Sequence, residues 1–317
     1  MKDKFNKPGI WLGLLLCALA FLPAGCSNGN ELATDNPDGR VALQLTGGIS
    51  IQTRAYDDTW DAGDHIGIYM YNAGKETIVE GAENIPYRLK KGETKAFEPA
   101  GTTIYFPVDG SNVDFHAWYP CKDVAGGEWT ANLKKQSSQK ALDLMTAGVK
   151  SNTGKNGKVY NKEQPKVALE FHHRLTKLVV NIDNGVGISP ADLKGLTVEI
   201  TQQVSTAIYE PDYDALGYEE ELVTIPLSMN ADGTFAEAIL FPDDLARAYG
   251  TDRGRQLVFT LKNTGEKFYY YINDNKSFNA GEKNIYHITV NRTGLEVTAE
   301  IEDWTEGNGD GNPGSAE

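Results

Sequence analysis

From Val41 to Gln52 every odd position is apolar or glycine (Val41, Leu43, Leu45, Gly47, Ile49, Ile51), and apart from Ala42 and Gly48 the even positions are polar. A period of two with one apolar face predicts a half-buried strand, and the Gly47-Gly48 pair keeps the phase across its break. The same stencil returns near the other end, where Leu295, Val297, Ala299 and Ile301 alternate with Glu296, Thr298, Glu300 and Glu302. Between these two segments, short apolar runs recur with turn residues between them. The first series is His65 to Tyr71, Pro86 to Leu89, Thr103 to Phe106, Val113 to Tyr119 and Leu142 to Thr146. The second comprises Val167 to Phe171, Leu175 to Ile182, Leu196 to Thr201, Leu222 to Met229, Phe235 to Phe241, Leu257 to Lys262, Phe268 to Ile272 and Ile285 to Val290. That rhythm predicts an all-β chain of sandwich or barrel class. Two short helices are expected beside it, one opened by Ser189 and Pro190, the other spanning Pro242 to Tyr249 and stopped by Gly250.

The segment from Gly148 to Lys166 is rich in glycine and lysine and poor in large apolar residues, so the domain boundary is placed there. The expected organisation is a leader over 1–25, a flexible tether over 26–40, two β-domains over 41–160 and 161–306, and a Gly/Asn/Asp tail over 307–317. The leader has a basic start (Lys2, Lys4, Lys7), an apolar core from Ile10 to Leu22 and small residues before Cys26. It is too short for a stable membrane span and reads as a bacterial lipoprotein export signal, with Pro23 departing from the usual box before the cysteine. Lipidation at Cys26 by the lipoprotein-processing machinery would anchor the precursor to a membrane, since two acyl chains hold where one does not.

The chain of 317 residues carries a formal net charge of −14, and loss of the leader takes it to about −16. Nucleic acid is excluded as a partner for such a surface. Cys17 leaves with the leader and Cys26 is assigned to lipid, so Cys121 has no mate and no disulfide framework is expected.

From the pattern of residues no enzyme, cofactor or metal site is expected. His172 and His173 are neighbours on a strand and point to opposite faces. His65, His116 and His287 stand isolated on strands, and Cys121 reads as a small buried hydrophobe. The run Gly148 to Lys155 has the wrong spacing for a phosphate loop, and Asn156 stands where a Ser or Thr is needed. The acidic groups Glu210 to Asp214, Glu219 to Glu221 and Asn308 to Asn312 read as solvated loops, with calcium left open. Trp118, Tyr119, Trp129 and the run Phe268 to Tyr271 leave a sugar-stacking surface open, although alternation sends part of that run into the core.

The first strand ends at Thr53-Arg54-Ala55-Tyr56, before Asp57-Asp58, an expected exposed site for a trypsin-like protease. Cleavage after Arg54 would release Val41, Leu43, Leu45, Ile49 and Ile51 and expose an apolar trough with unpaired backbone groups. A strand of matching period from another molecule could fill it. On pattern alone both stencilled segments fit ordinary strands of their own domains better, since any half-buried strand shows this period.

Three further stretches complete a pattern: Asp58-Thr59-Trp60-Asp61-Ala62-Gly63-Asp64-His65-Ile66-Gly67-Ile68-Tyr69-Met70, Phe171-His172-His173-Arg174-Leu175-Thr176-Lys177-Leu178, and the ending Ile301-Glu302-Asp303-Trp304. With the lipoprotein box, the tether and the strand ending in Arg-Ala-Tyr, the chain resembles the Bacteroidales fimbrillin (Mfa-like, type V pilin) family over nearly its whole mature length. The resemblance implies two tandem transthyretin-like Greek-key β-sandwich domains, export to the outer membrane and cell surface, and cleavage by an arginine-specific protease. It further implies assembly with copies of itself or related subunits into an adhesive fimbrium by donor-strand exchange. Carried onto this chain, cleavage falls at Arg54 with Arg40 second, and the donor at Leu295, Val297, Ala299 and Ile301. The alternative is a monomeric surface lipoprotein that binds host or other glycans through exposed aromatics.

Overall fold

The structure is a computed structural model that describes residues 39–50, 59–121, 129–154, 157–218, 221–243, 254–272 and 277–303. In chain order its strands begin with β1 (Gln44–Ile49), β2 (His65–Asn72), β3 (Ile85–Leu89), β4 (Ala96–Pro99), β5 (Val113–Tyr119), β6 (Trp129–Asn132), β7 (Met145–Val149) and β8 (Lys166–His173). Seven of these form one hydrogen-bonded circuit in the order β1-β4-β3-β2-β5-β7-β8, with β8 returning to β1. The strands of the first unit are thus joined in one closed hydrogen-bonded circuit, a barrel whose last seam is β1 against β8. Every neighbouring pair is antiparallel except β1 and β8, which run in parallel.

Alternation explains the barrel wall. In β8 Val167, Leu169, Phe171 and His173 point inward and are buried, while Lys166, Ala168, Glu170 and His172 are exposed. In β5 nearly all seven residues are buried, because its two faces serve two cores. Val113, Phe115, Ala117 and Tyr119 fill the barrel, whereas Trp118 joins Tyr69 of β2 in the core of the second unit. The Trp118 indole N–H donates to Asn84 Oδ1 at 2.8 Å directly over Gly67. A Cβ at Gly67 would lie 2.5 Å from that indole nitrogen, so the contact requires glycine.

The second unit contains β9 (Thr176–Asn184), β10 (Thr197–Val204), β11 (Thr206–Glu210), β12 (Ala215–Tyr218), β13 (Leu222–Pro226), β14 (Ser228–Met229), β15 (Phe235–Leu240), β16 (Gln256–Thr260), β17 (Lys267–Tyr271), β18 (Glu282–Asn291) and β19 (Gly294–Asp303). A five-stranded sheet in the order β14-β15-β9-β18-β19 and a four-stranded sheet in the order β13-β10-β16-β17 share one apolar core. A small third sheet, β12-β11-β6, ties the units together, because β6 leaves the barrel and pairs with β11. Tyr209 of β11 reaches His116 Nε2 on β5 at 2.7 Å and donates to Asp214 Oδ1 at 3.0 Å. Asp214 in turn accepts from Arg174 Nη1 at 3.0 Å.

Several expectations are corrected by these pairings. A boundary between 160 and 161 would put β8 in the second domain, yet β8 pairs with β1 and β7 of the first unit, and Leu175 just after it lies in the second core. The polar run that suggested a linker is pinned to β5: Ser151 N–H donates to Asp114 Oδ1, and Val113 N–H donates to the carbonyl of Tyr160, itself buried in the barrel. Thr103 to Phe106 contributes only an isolated bridge, Ala42 to Tyr105. Leu142 to Thr146 divides into the end of a short helix, α1 (Gln139–Leu142), and the start of β7. A second helix, α2 (Pro190–Leu193), forms where Ser189 and Pro190 predict it, with Asp192 completing a capping box. The helix expected at Pro242 to Tyr249 falls largely outside the described residues. Strands β4, β6, β11 and β12 are not among the expected ones: each is four or five residues long, too short for a period of two to stand out along the chain.

Candidate functional site

β1 is the strand that closes the barrel, and its seat is the candidate site. On one side its six residues pair in parallel with β8, from Gln44↔Lys166 to Ile49↔Phe171. On the other side it meets β4 at only two positions, Leu45↔Phe97 and Thr46↔Ala96. Before β1, Leu43 N–H donates to the carbonyl of Ile104, and Phe106 N–H donates to the carbonyl of Val41. Ser50 N–H, just after it, donates to the carbonyl of Phe171.

Leu43, Leu45 and Ile49 are 6%, 4% and 7% exposed and sit in the barrel core, with Val41 packed against it. Gly47 shares their inward face. A Cβ there would stand 3.0 Å from Phe97 Cε2 and 3.2 Å from Phe171 Cε2, so the two rings close on the backbone itself. Trp60 completes this floor: its indole N–H donates to the Gly47 carbonyl at 2.8 Å. Its ring meets Phe97, Phe171 and Tyr119 edge-on at centroid distances of 5.1 to 5.3 Å. The roles of Trp60, Phe97 and Phe171 were missed in the sequence. The one available signal was a tryptophan standing alone in the polar stretch Asp57 to Asp61.

The outward face of the seat is an open groove of about 570 Å³, lined by Gln44, Thr46, Ala96 and Ala168 and rimmed by Lys90, Lys158 and Lys166. Arg40, the second cleavage candidate, stacks over the ring of Tyr105 with its guanidinium carbon 4.5 Å from the centroid. Arg54, Ile51 and Cys26 lie outside the described residues.

The C-terminal candidate strand is β19, an edge strand paired with β18 over ten positions. Of its apolar face, Val297 is buried, Leu295 and Ala299 are partly buried, and Ile301 is 37% exposed.

The remaining candidates sit as follows. His172 and His173 do face opposite ways: His172 is exposed, while His173 is buried with Nδ1 2.7 Å from Asp143 Oδ1. His65 Nδ1 contacts the Gly63 carbonyl, and His287 Nε2 contacts Glu300. Cys121 is half-buried against the second core. Among the described residues no three His, Cys, Asp or Glu side chains gather as a metal site would require. Trp118, Tyr119 and Trp129 are buried, which removes them from any sugar-stacking surface. Tyr269 and Tyr271 of β17 remain exposed on one face, while Phe268 turns into the core.

A family model of fimbrillin-like proteins matches residues 53–304 of this chain. A Bacteroides uniformis protein with the provisional name of fimbrium subunit Fim1C is 40% identical over 314 residues, 96% of this chain and 98% of that protein. The crystal structure of a provisionally named cell adhesion protein from Bacteroides uniformis superposes with a TM-score of 0.70 at 39% identity, over 84% of this chain and all of that one. A second, provisionally named in the same way and from Bacteroides ovatus, has a TM-score of 0.60 at 18% identity, over 83% of this chain and 97% of that one, a likeness of fold alone.

Proposed function

The chain belongs to the fimbrillin-like family, and from that premise we propose that it is a fimbrial subunit precursor of the cell surface that supports adhesion. It is exported as a lipoprotein acylated at Cys26 and matured by an arginine-specific protease at Arg54, with Arg40 the weaker candidate. It then polymerises with copies of itself or related subunits by donor-strand exchange. The chemistry of maturation belongs to other proteins.

The observation that carries this reading is the position of β1. Its loss would leave β4 and β8 as unpaired edges on either side of a trough whose floor is Phe97, Phe171 and Trp60. Leu43, Leu45 and Ile49 at about 1.5–3 kcal/mol each supply roughly 5–9 kcal/mol of gross apolar burial, which an incoming strand would recover before association costs. Arg54 is the better cleavage site because it follows the whole of β1, whereas cutting after Arg40 leaves the seat filled.

N-terminal analysis of surface-sheared protein by mass spectrometry tests the reading. An Ala55 end in a high-mass, detergent-resistant species is expected. An acylated Cys26 end in a monomer overturns it in favour of a second reading, a glycan-binding surface lipoprotein, to which the exposed Tyr269 and Tyr271 lend the available stacking surface.

A further inference from the structure

We propose that the seat of β1 sets the register of its replacement strand. The strand it accepts is Leu295 to Ile301 of a second copy, running in the direction of β1 with Ala299 where Gly47 lies. This rests on the assembly reading above and adds its direction and register.

The inward series of the resident strand is large, large, small, large: Leu43, Leu45, Gly47, Ile49. The small position is imposed by the seat, since Phe97 and Phe171 close to 3.0 and 3.2 Å of any Cβ placed there. An alanine fits if the ring edges give by a few tenths of an ångström. A β-branched or longer side chain does not. The inward series of β19 has the same order, Leu295, Val297, Ala299, Ile301.

Other placements fail at identifiable atoms. Sliding β19 by two residues either way brings Val297 or Ile301 against the two rings. Reversing it with Ala299 kept at the small position brings Asp303 to the buried place of Leu43, an uncompensated carboxylate in the barrel core.

Burial supplies the direction of exchange. Ile301 is 37% exposed and Leu295 and Ala299 are only half-buried on the edge of their own sheet, whereas the equivalent places in the seat are under 10% exposed. On the outward face Glu296 takes the place of Gln44, opposite Lys166 in the groove that Lys90 and Lys158 also rim. Thr298 takes the place of Thr46. Glu300 comes beside Glu170, an exposed pair of like charges that salt screens.

Cysteine trapping in the full chain, in a Cys121→Ser background and after Arg54 processing, tests the register. The proposal places Thr298 of one copy across from Ala168 of the next, at a strand spacing that a disulfide spans. Both side chains are exposed in the monomer and lie in different sheets. Ala168→Cys with Thr298→Cys is expected to give a covalent ladder on oxidation, stronger than Ala168→Cys with Glu296→Cys or Glu300→Cys. A ladder strongest in either shifted pair overturns the register. Polymer that cross-links in none of the three overturns the choice of donor. Ala299→Leu is expected to leave a folded monomer that no longer assembles, and assembly at the normal level overturns the size rule. If the unsubstituted chain is cleaved and still forms no polymer, the assembly reading itself fails, and this inference with it.

Discussion

Truncating Leu45 to alanine separates β1 as a removable latch from β1 as an ordinary barrel strand. Leu45 is 4% exposed and lies between Phe97 on β4 and Val167 on β8. Its loss should cost about 2–5 kcal/mol, the range for large-to-small changes in a tight core. If β1 opens as a unit, the cost appears in its detachment equilibrium, and the open population rises roughly 30-fold to several thousand-fold at 1.4 kcal/mol per decade. Hydrogen exchange followed by mass spectrometry reads this directly. Peptides covering residues 42–50 and 166–172 should exchange faster in Leu45→Ala, while β9 and β18, paired in the second unit, serve as the internal reference. Acceleration of β9 and β18 by the same factor would refute the reasoning, since the strand would then open only with the whole molecule.

Other expectations follow from single contacts. Arg54→Ala should abolish assembly and leave the monomer's thermal stability within about 0.5 kcal/mol of the parent, and normal polymer yield would remove Arg54 from maturation. The buried Tyr87 hydroxyl accepts from the Ile104 N–H at 3.1 Å, and burial pushes its pKa up to about 12. The phenol therefore stays protonated in the fold after the unfolded chain has begun to ionise, so stability is full below about pH 10 and falls as pH rises toward 12. Burial also raises Tyr119, Tyr209 and Tyr286. Denaturant titrations across that window should record the loss, and Tyr87→Phe should flatten part of the slope. Asp243 carries the buried Arg255 at 2.9 Å and accepts from Phe278 N–H, so Asp243→Ala should cost about 3–5 kcal/mol in a denaturation curve. Tyr269→Ala with Tyr271→Ala should leave stability unchanged within about 0.5 kcal/mol, and lost glycan-array binding in that variant would favour the monomeric reading.

The sequence by itself determined the class of the fold and the composition of its faces. Period-two alternation at Val41 to Ile49, Val167 to Phe171 and Leu295 to Ile301 states which side chains share a face, because successive Cβ atoms on a strand point opposite ways whatever the partner. Family membership was legible too, through Trp60 to Met70 and Phe171 to Leu178. Pairing was left to the tertiary structure. A stencil names no neighbour, and only the packed molecule decides that β1 lies parallel to β8, that β8 belongs with the barrel and that β19 is an edge. The same limit hid the seat's size rule. Gly47 reads as a break in a strand until Phe97 and Phe171, 50 and 124 residues further along the chain, close over its Cα. Strand pairing is a contest among distant segments for the same hydrogen bonds and the same cavity, and its outcome is a property of the whole packed core.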